Sequence, residues 1–181
     1  MNALGMLEVL SIPQGIEAGD AMLKAAQVEL ITAQTVCAGK FIVIVGGEVA
    51  AVKESVEAGT VCAQDTLVDS IVIPHVHPDV FTAINACSDI GNVGAIGILE
   101  TFSLAAAVMA ADASVKAADV RLIEVRLGRG MGGKSFVLLT GEVAAVEAAV
   151  KAGESPDEVQ GLMSKSVVIP SPHPDIINAI V

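Results

Sequence analysis

The chain contains the same domain twice. The segment LGMLEVLSIPQGIEAGDAMLKAAQVEL, which begins at Leu4, returns as IGILETFSLAAAVMAADASVKAADVRL from Ile96. Further along, GGEVAAVKESVEAG (46–59) matches TGEVAAVEAAVKAG (140–153), and SIVIPHVHPDVFTAI (70–84) matches SVVIPSPHPDIINAI (166–180). A repeat of this length is the signature of duplicated structural units. We predict two tandem domains, residues 1–90 and 91–181, with no flexible linker between them.

The hydrophobic periodicity within each copy predicts the order β-α-β-β-α-β-α. In the first copy, a strand over 4–10 precedes a helix for which Ser11 is the expected N-cap. Strands over 28–36 and 41–45 form a hairpin, and Gly59 is expected to end the second helix. A strand at 71–73 and a helix opened by His77-Pro-Asp complete the domain. This order predicts an α+β fold, with two tandem ferredoxin-like (split βαβ) domains.

Composition and charge exclude several functions. Hydrophobic residues make up 53% of the 181 residues and aromatic residues only 2%, so the core is aliphatic and the surplus predicts buried interfaces. The net charge of −11 repels nucleic acid. The longest run without a charged residue, 101–111, is shorter than the roughly 18 residues that a membrane span needs. The amino-terminal segment has no cationic character, which indicates a cytoplasmic protein.

A single cysteine at a hairpin tip is the first candidate functional residue. Cys37 opens the turn TVCAGK, and neither Cys62 nor Cys87 lies close to it in sequence. Thiolate metal sites need three or four sulfur ligands, so one chain offers too few. An odd number of cysteines argues against a disulfide framework. On the residues alone, Cys37 is either a small buried hydrophobe or a metal ligand.

The second hairpin tip, RLGRGMGGK (126–134), is the other unusual segment. Its glycines allow either positive φ or a close approach of backbones. The pattern does not fit a phosphate-binding loop, because a strand rather than a helix follows it. Arg129 either supplies positive charge to a shared site or is an exposed loop residue. The sequence contains no arrangement of nucleophile, base and acid, so we do not expect an enzyme.

Several of these segments resemble one family. GDAMLKAAQVELI, the Gly-Lys hairpin tip, GGEVAAVKESVEAG and VIPHVHPD are similar to the bacterial microcompartment (BMC) shell domain in its unpermuted order, and the resemblance covers both copies. It implies a homotrimer whose six domains imitate the hexamers of single-domain relatives. Such pseudohexamers tile the facets of a cytoplasmic microcompartment together with other BMC shell proteins.

The segment TVCAGKF is similar to the hairpin tip of trimeric shell proteins from propanediol-utilisation compartments, which bind an iron-sulfur cluster on the threefold axis. Their turn has a proline where this chain has Ala38. The resemblance implies that three Cys37 thiolates hold one 4Fe-4S cluster per trimer for electron transfer across the shell, with an encapsulated redox enzyme as a further partner. The residues expected around this axis, besides Cys37, are Ala38, Gly39, Lys40, Arg129, Gly130, Met131, Gly132 and Gly133.

Other positions are expected at the tile edge. Lys24 and Lys116 match the family's edge lysine, whereas His75 and Ser171 replace the arginine that commonly follows VIP. His77 and His173 recur as HPD in both copies, which is typical of a turn feature. Two other functions remain open: a structural tile with a metabolite pore and no cluster, and a redox enzyme or signalling module on the same scaffold.

Overall fold

The structure is a computed structural model that describes residues 1–88 and 91–180. The chain forms two compact units, the first comprising Met1–Pro78 with Arg129–Gly132 and the second comprising Asp79–Gly128 with the residues from Gly133 onward. The predicted domain boundary falls at Ile90, which lies outside the described residues, so this boundary stays a prediction.

The helices and strands follow the predicted order in both copies. The first copy contains β1 (Ala3–Val9), α1 (Ile12–Ala25), β2 (Glu29–Val36), β3 (Lys40–Gly47), α2 (Val49–Ala63), β4 (Leu67–Pro74) and α3 (Pro78–Ile84). The second contains β5 (Ala95–Thr101), α4 (Leu104–Ala117), β6 (Val120–Leu127), β7 (Ser135–Gly141), α5 (Val143–Gly153), α6 (Asp157–Gln160), β8 (Met163–Ile169) and α7 (Pro174–Ile180). The one-turn helix α6 occupies the place where the first copy has a 3₁₀ turn, Gln64–Thr66.

Each copy builds one antiparallel sheet of four strands. The strand orders are β2-β3-β1-β4 and β6-β7-β5-β8, so the first strand of each copy is central. Glu8 lies opposite Ile42 in β3, and Glu100 lies opposite Phe136 in β7, which shows that the two sheets have the same register. This topology confirms the predicted α+β fold with two ferredoxin-like domains.

One face of each sheet is covered by two helices. In the first unit, Leu7, Val9 and Val43 of the sheet pack against Met22 of α1 and Val52 of α2. Ser11 caps α1 as predicted, because its Oγ accepts a hydrogen bond from the Gln14 N–H at 3.4 Å. A cap of this kind satisfies a donor that the first turn of a helix leaves without an internal partner.

The prediction that Gly59 ends the second helix is wrong. α2 continues through Ala63, and Gly59 is buried inside it against α1. A Cβ at Gly59 would lie 2.6 Å from Met22 Cγ, so glycine is required here for close packing between helices. The matching Gly153 is the last residue of α5, and a Cβ there would clash with Ser114 Oγ. Close packing therefore requires glycine at this position in both copies, and the helix ends at it in only one.

The HPD segments start short helices, as expected of a turn feature. α3 begins at Pro78 and α7 at Pro174. His173 Nδ1 accepts a hydrogen bond from the Asp175 N–H at 3.2 Å, and the His173 carbonyl accepts one from the Ile177 N–H at 3.1 Å. None of the helices among the described residues combines the length and the apolar character that crossing a bilayer requires.

The buried central strand predicts a contrast between two nearby leucines. Leu7 is buried in the first core, whereas Leu10 is exposed just after β1. We expect Leu7→Ala to lower the free energy of unfolding by about 2–5 kcal/mol, because it leaves a cavity. Leu10→Ala is the control and should change it by less than about 0.5 kcal/mol. Guanidinium denaturation measures both, and equal effects would contradict the assignment of the core.

Candidate functional site: the hairpin tip at Cys37

Cys37 lies in the tight turn between β2 and β3. β2 ends at Val36 and β3 begins at Lys40, so the turn consists of Cys37, Ala38 and Gly39. The Cys37–Ala38 peptide bond is cis, and Gly39 has a φ of 76°, a conformation that favours glycine. Cys37 is half-buried, and Ala38 and Gly39 are exposed. The thiol therefore sits at an accessible tip rather than in the core.

The glycine-rich loop of the second copy meets this tip within the first compact unit. The Gly130 N–H donates a hydrogen bond to Cys37 Sγ at 3.1 Å. Gly128, Gly130, Gly132 and Gly133 all have positive φ, so the loop uses their backbone freedom. Arg129, next to the donor, is exposed, and Met131 is half-buried. The structure thus brings together Cys37 and Gly130, two of the residues predicted to lie near a shared axis.

Each hairpin tip is joined to the central strand of its own copy by an ion pair that is absent from the sequence-based predictions. Lys40 Nζ pairs with the carboxylate of Glu8, which is buried. Lys134 Nζ pairs with Glu100 Oε2 at 3.0 Å, and the Ser164 hydroxyl donates to the same oxygen at 2.7 Å. The only sequence signal is a glutamate at the same place in both apolar first strands.

The electrostatics of the second pair are clear from its contacts. The hydrogen bond from Ser164 is the largest influence, and together with the Lys134 ammonium it lowers the pKa of the Glu100 carboxyl. Both partners favour the charged form of the carboxylate. The pKa of Glu100 therefore lies below the ordinary value of a glutamate.

Within the part of the chain that the structure describes, a single chain brings together too few ligands for a metal site. Across residues 1–88 and 91–180, no three or more His, Cys, Asp or Glu side chains come together as a metal site. A shared site would need Cys37 from several chains. The environment of Cys37 fits such a role, because a backbone N–H that donates to a ligand sulfur is one of the means by which proteins tune iron-sulfur clusters.

The other two cysteines lie in different surroundings. Cys62 is half-buried, and the Gln14 side-chain N–H donates to its carbonyl oxygen at 2.9 Å. Cys87 is exposed, and its Sγ donates to the Asn85 carbonyl oxygen at 3.3 Å. The three cysteines, all within the described ranges, form no disulfide.

The residues expected at a tile edge are at the surface. Lys24 pairs with Asp20 at 2.5 Å, and Lys116 pairs with Asp112 at 2.6 Å, each one helical turn apart. His75 is exposed with a φ of 53°, and Ser171 is exposed in the loop before α7. Their role at an edge stays a prediction.

An apolar groove lies along α1 and the edge strand β2 of the first unit. It has a volume of about 210 Å³, and Ile16, Leu23 and Leu30 are among its lining residues. The matching side chains of the second copy are buried. Leu30 is 45% exposed and its counterpart Leu122 is 2% exposed, while Ile16 is 58% exposed and its counterpart Val108 is 0% exposed.

A second groove, of about 320 Å³, lies on the sheet face of the second unit that α4 and α5 do not cover. Ile98, Arg126, Phe136 and Ile180 are among its lining residues. Here the relation is reversed, because the counterparts of Ile98 and Phe136 in the first copy, Met6 and Ile42, are fully buried. Each repeat therefore has one open apolar surface whose counterpart in the other repeat is buried.

Comparison with known proteins agrees with this fold. The BMC domain family matches residues 3–76 and again 95–172. The bacterial microcompartment shell protein PduT of Citrobacter freundii is 44% identical over 172 residues, which cover 95% of this chain and 94% of PduT. The carboxysome assembly protein CcmO of Synechococcus elongatus is 31% identical over 99% of this chain and 68% of its own length.

A solved structure gives the same result. A microcompartment protein from Desulfitobacterium hafniense superposes with a TM-score of 0.94 at 50% identity, covering 98% of this chain and 99% of the other. The two family matches coincide with the two repeats found in the sequence and with the two sheets of the structure. The chain belongs to the BMC domain family and is a tandem-domain structural shell protein of a bacterial microcompartment.

Proposed function

We propose that this shell protein is a homotrimeric facet tile whose threefold axis carries three Cys37 thiolates and one 4Fe-4S cluster. When bound, the cluster would supply one-electron transfer across the shell. Other BMC shell proteins would surround the tile in the facet, and an encapsulated redox enzyme would exchange electrons with it.

The two open grooves support the formation of a ring. One lies in the first unit, around Leu30, and the other lies in the second unit, around Phe136. Because their counterparts in the other repeat are buried, a contact between the two grooves of different chains would make all six domains nearly equivalent. A contact between unlike surfaces is head-to-tail, and such contacts close into rings when the rotation permits.

The resemblance to trimeric tandem-domain shell proteins supplies the number of chains in the ring. With three chains, any residue near the axis occurs three times. Three cysteines can ligate three irons of a four-iron cluster and leave one iron open to solvent or a small ligand.

The observation that carries the cluster proposal is the hydrogen bond from the Gly130 N–H to Cys37 Sγ. This donor would stabilise the negative charge of a ligand thiolate and hold the sulfur in one direction. Arg129 would add positive charge beside the sulfurs, against a chain of net charge −11.

The ring proposal predicts that a charge in the first groove prevents assembly. Leu30→Asp should convert a particle of three 18.3 kDa chains into monomers in sedimentation velocity experiments. An unpaired buried carboxylate costs several kcal/mol, enough to weaken association by at least about 100-fold. Val61→Asp is the control, because Val61 is exposed on α2 outside both grooves. A Leu30→Asp protein that remains trimeric would contradict the proposal.

The cluster proposal predicts about four iron and four acid-labile sulfide per trimer in anaerobically purified protein. Cys37→Ser should lose both, whereas Cys62→Ser and Cys87→Ser should retain them. The absorbance spectrum provides a second readout. Because the chain has no Trp and no Tyr, the protein itself absorbs little in the ultraviolet and does not obscure the bands of a cluster.

The outcome of this assay separates the cluster from the pore. Colourless, iron-free trimers would contradict the cluster and favour a structural tile with a metabolite pore. The exposed Arg129, Gly130 and Gly132 would then line the opening.

A further inference from the structure

Glu8 places a buried carboxylate in β1, an otherwise apolar strand of the first unit. All seven residues of β1 are buried, and Glu8 is 2% exposed. It points to the same face of the sheet as Leu4 and Met6, which are both fully buried. A carboxylate in such surroundings loses its hydration and is tolerated only when an opposite charge compensates it.

The compensating charge comes from the turn that carries Cys37. Lys40 follows that turn directly, and its Nζ forms the ion pair with Glu8. The Lys40 side chain is itself mostly buried, so water and salt screen the pair only weakly. Buried ion pairs contribute little net stability, and their best-attested use is to select one arrangement over others. This pair links the turn that contains Cys37 to the central strand β1.

The same link exists on the other side of the Cys37 contact. Lys134 follows the loop that contains Gly130, and it pairs with Glu100 of β5. The Gly130 N–H and Cys37 Sγ therefore meet at two loops that are each followed by a lysine fixed to a first strand.

We propose that Glu8 is a positioning residue for Cys37. Through Lys40, the Glu8 carboxylate holds the turn in the conformation in which Cys37 Sγ faces the Gly130 amide, the direction that a shared ligand requires. The ligand role rests on the proposed function, but the orientation of the thiol does not, and it can be measured without iron.

The test is the alkylation rate of each cysteine in iron-free full-length protein with iodoacetamide, read by peptide mass spectrometry. At pH 9.5, above the ordinary thiol pKa of about 8.5, the rate reports access more than ionisation. Glu8→Gln keeps the shape of the side chain and removes its charge. We expect the Cys37 rate to rise by about fivefold, the factor that one net hydrogen bond corresponds to. Cys62 and Cys87 in the same molecules should be unchanged.

Two further variants keep the test decisive. Lys40→Arg retains the charge and should keep the wild-type Cys37 rate, whereas Lys40→Gln should raise it even if Glu8→Gln fails to fold. Glu48→Gln makes the same change at an exposed carboxylate that accepts a hydrogen bond from the Asn2 side chain, and it should leave the rate unchanged. Unchanged Cys37 alkylation in folded Glu8→Gln, or in folded Lys40→Gln, would overturn the proposal.

Iron content separates this proposal from the cluster proposal. If the wild-type protein contains no iron but the variants show the expected alkylation rates, the cluster proposal is contradicted and the positioning proposal stands. Iron-loaded wild type with equal iron content and equal alkylation rates in Glu8→Gln would remove the positioning role alone.

Discussion

In each domain, two long helices cover one face of a sheet that is apolar on both faces, and in the second unit the short helix α7 packs on the other face through Ile177. In the first unit, α1 and α2 cover Leu7 and Val43, while Leu4 and Met6 on the opposite face are fully buried as well. In the second unit the equivalent face, around Ile98 and Phe136, is only partly covered. An apolar sheet face that helices cover only in part needs another cover. The proposed ring meets this requirement with a neighbouring chain.

In the proposed ring, a lone cysteine becomes part of a shared ligand set. In a closed ring of identical chains, every residue near the axis is present once per chain. A ligand set that no single chain contains among its described residues can then arise by symmetry. Two contacts near Cys37 would orient its thiol in such a ligand set. The Gly130 amide donates to the sulfur, and Lys40, which follows the turn, pairs with Glu8. The duplication also lets the two tips differ, so that one supplies the thiol and the other supplies the hydrogen-bond donor.

The sequence predicted those features that depend on neighbouring residues. The repeat, the order of elements and the Ser11 cap are local patterns, and the structure confirms them. Gly59 was misread as a helix end because its packing partner, Met22, lies 37 residues away in α1. The Glu8–Lys40 pair spans 32 residues, and the Cys37–Gly130 contact spans 93 residues. Such contacts depend on strand register and on the meeting of two copies, which residue patterns alone do not specify.

The distance between Cys37 thiols of different chains tests the central claim most directly. Protein that retains only Cys37, with Cys62→Ser and Cys87→Ser, can be treated with a short bismaleimide and analysed on a denaturing gel. Protein that retains only Cys62, also half-buried, is the matched control. If three Cys37 residues converge on one axis, linked chains will form rapidly in the first protein and not in the second. A Cys37-only trimer that gives no linked chains would contradict the shared site.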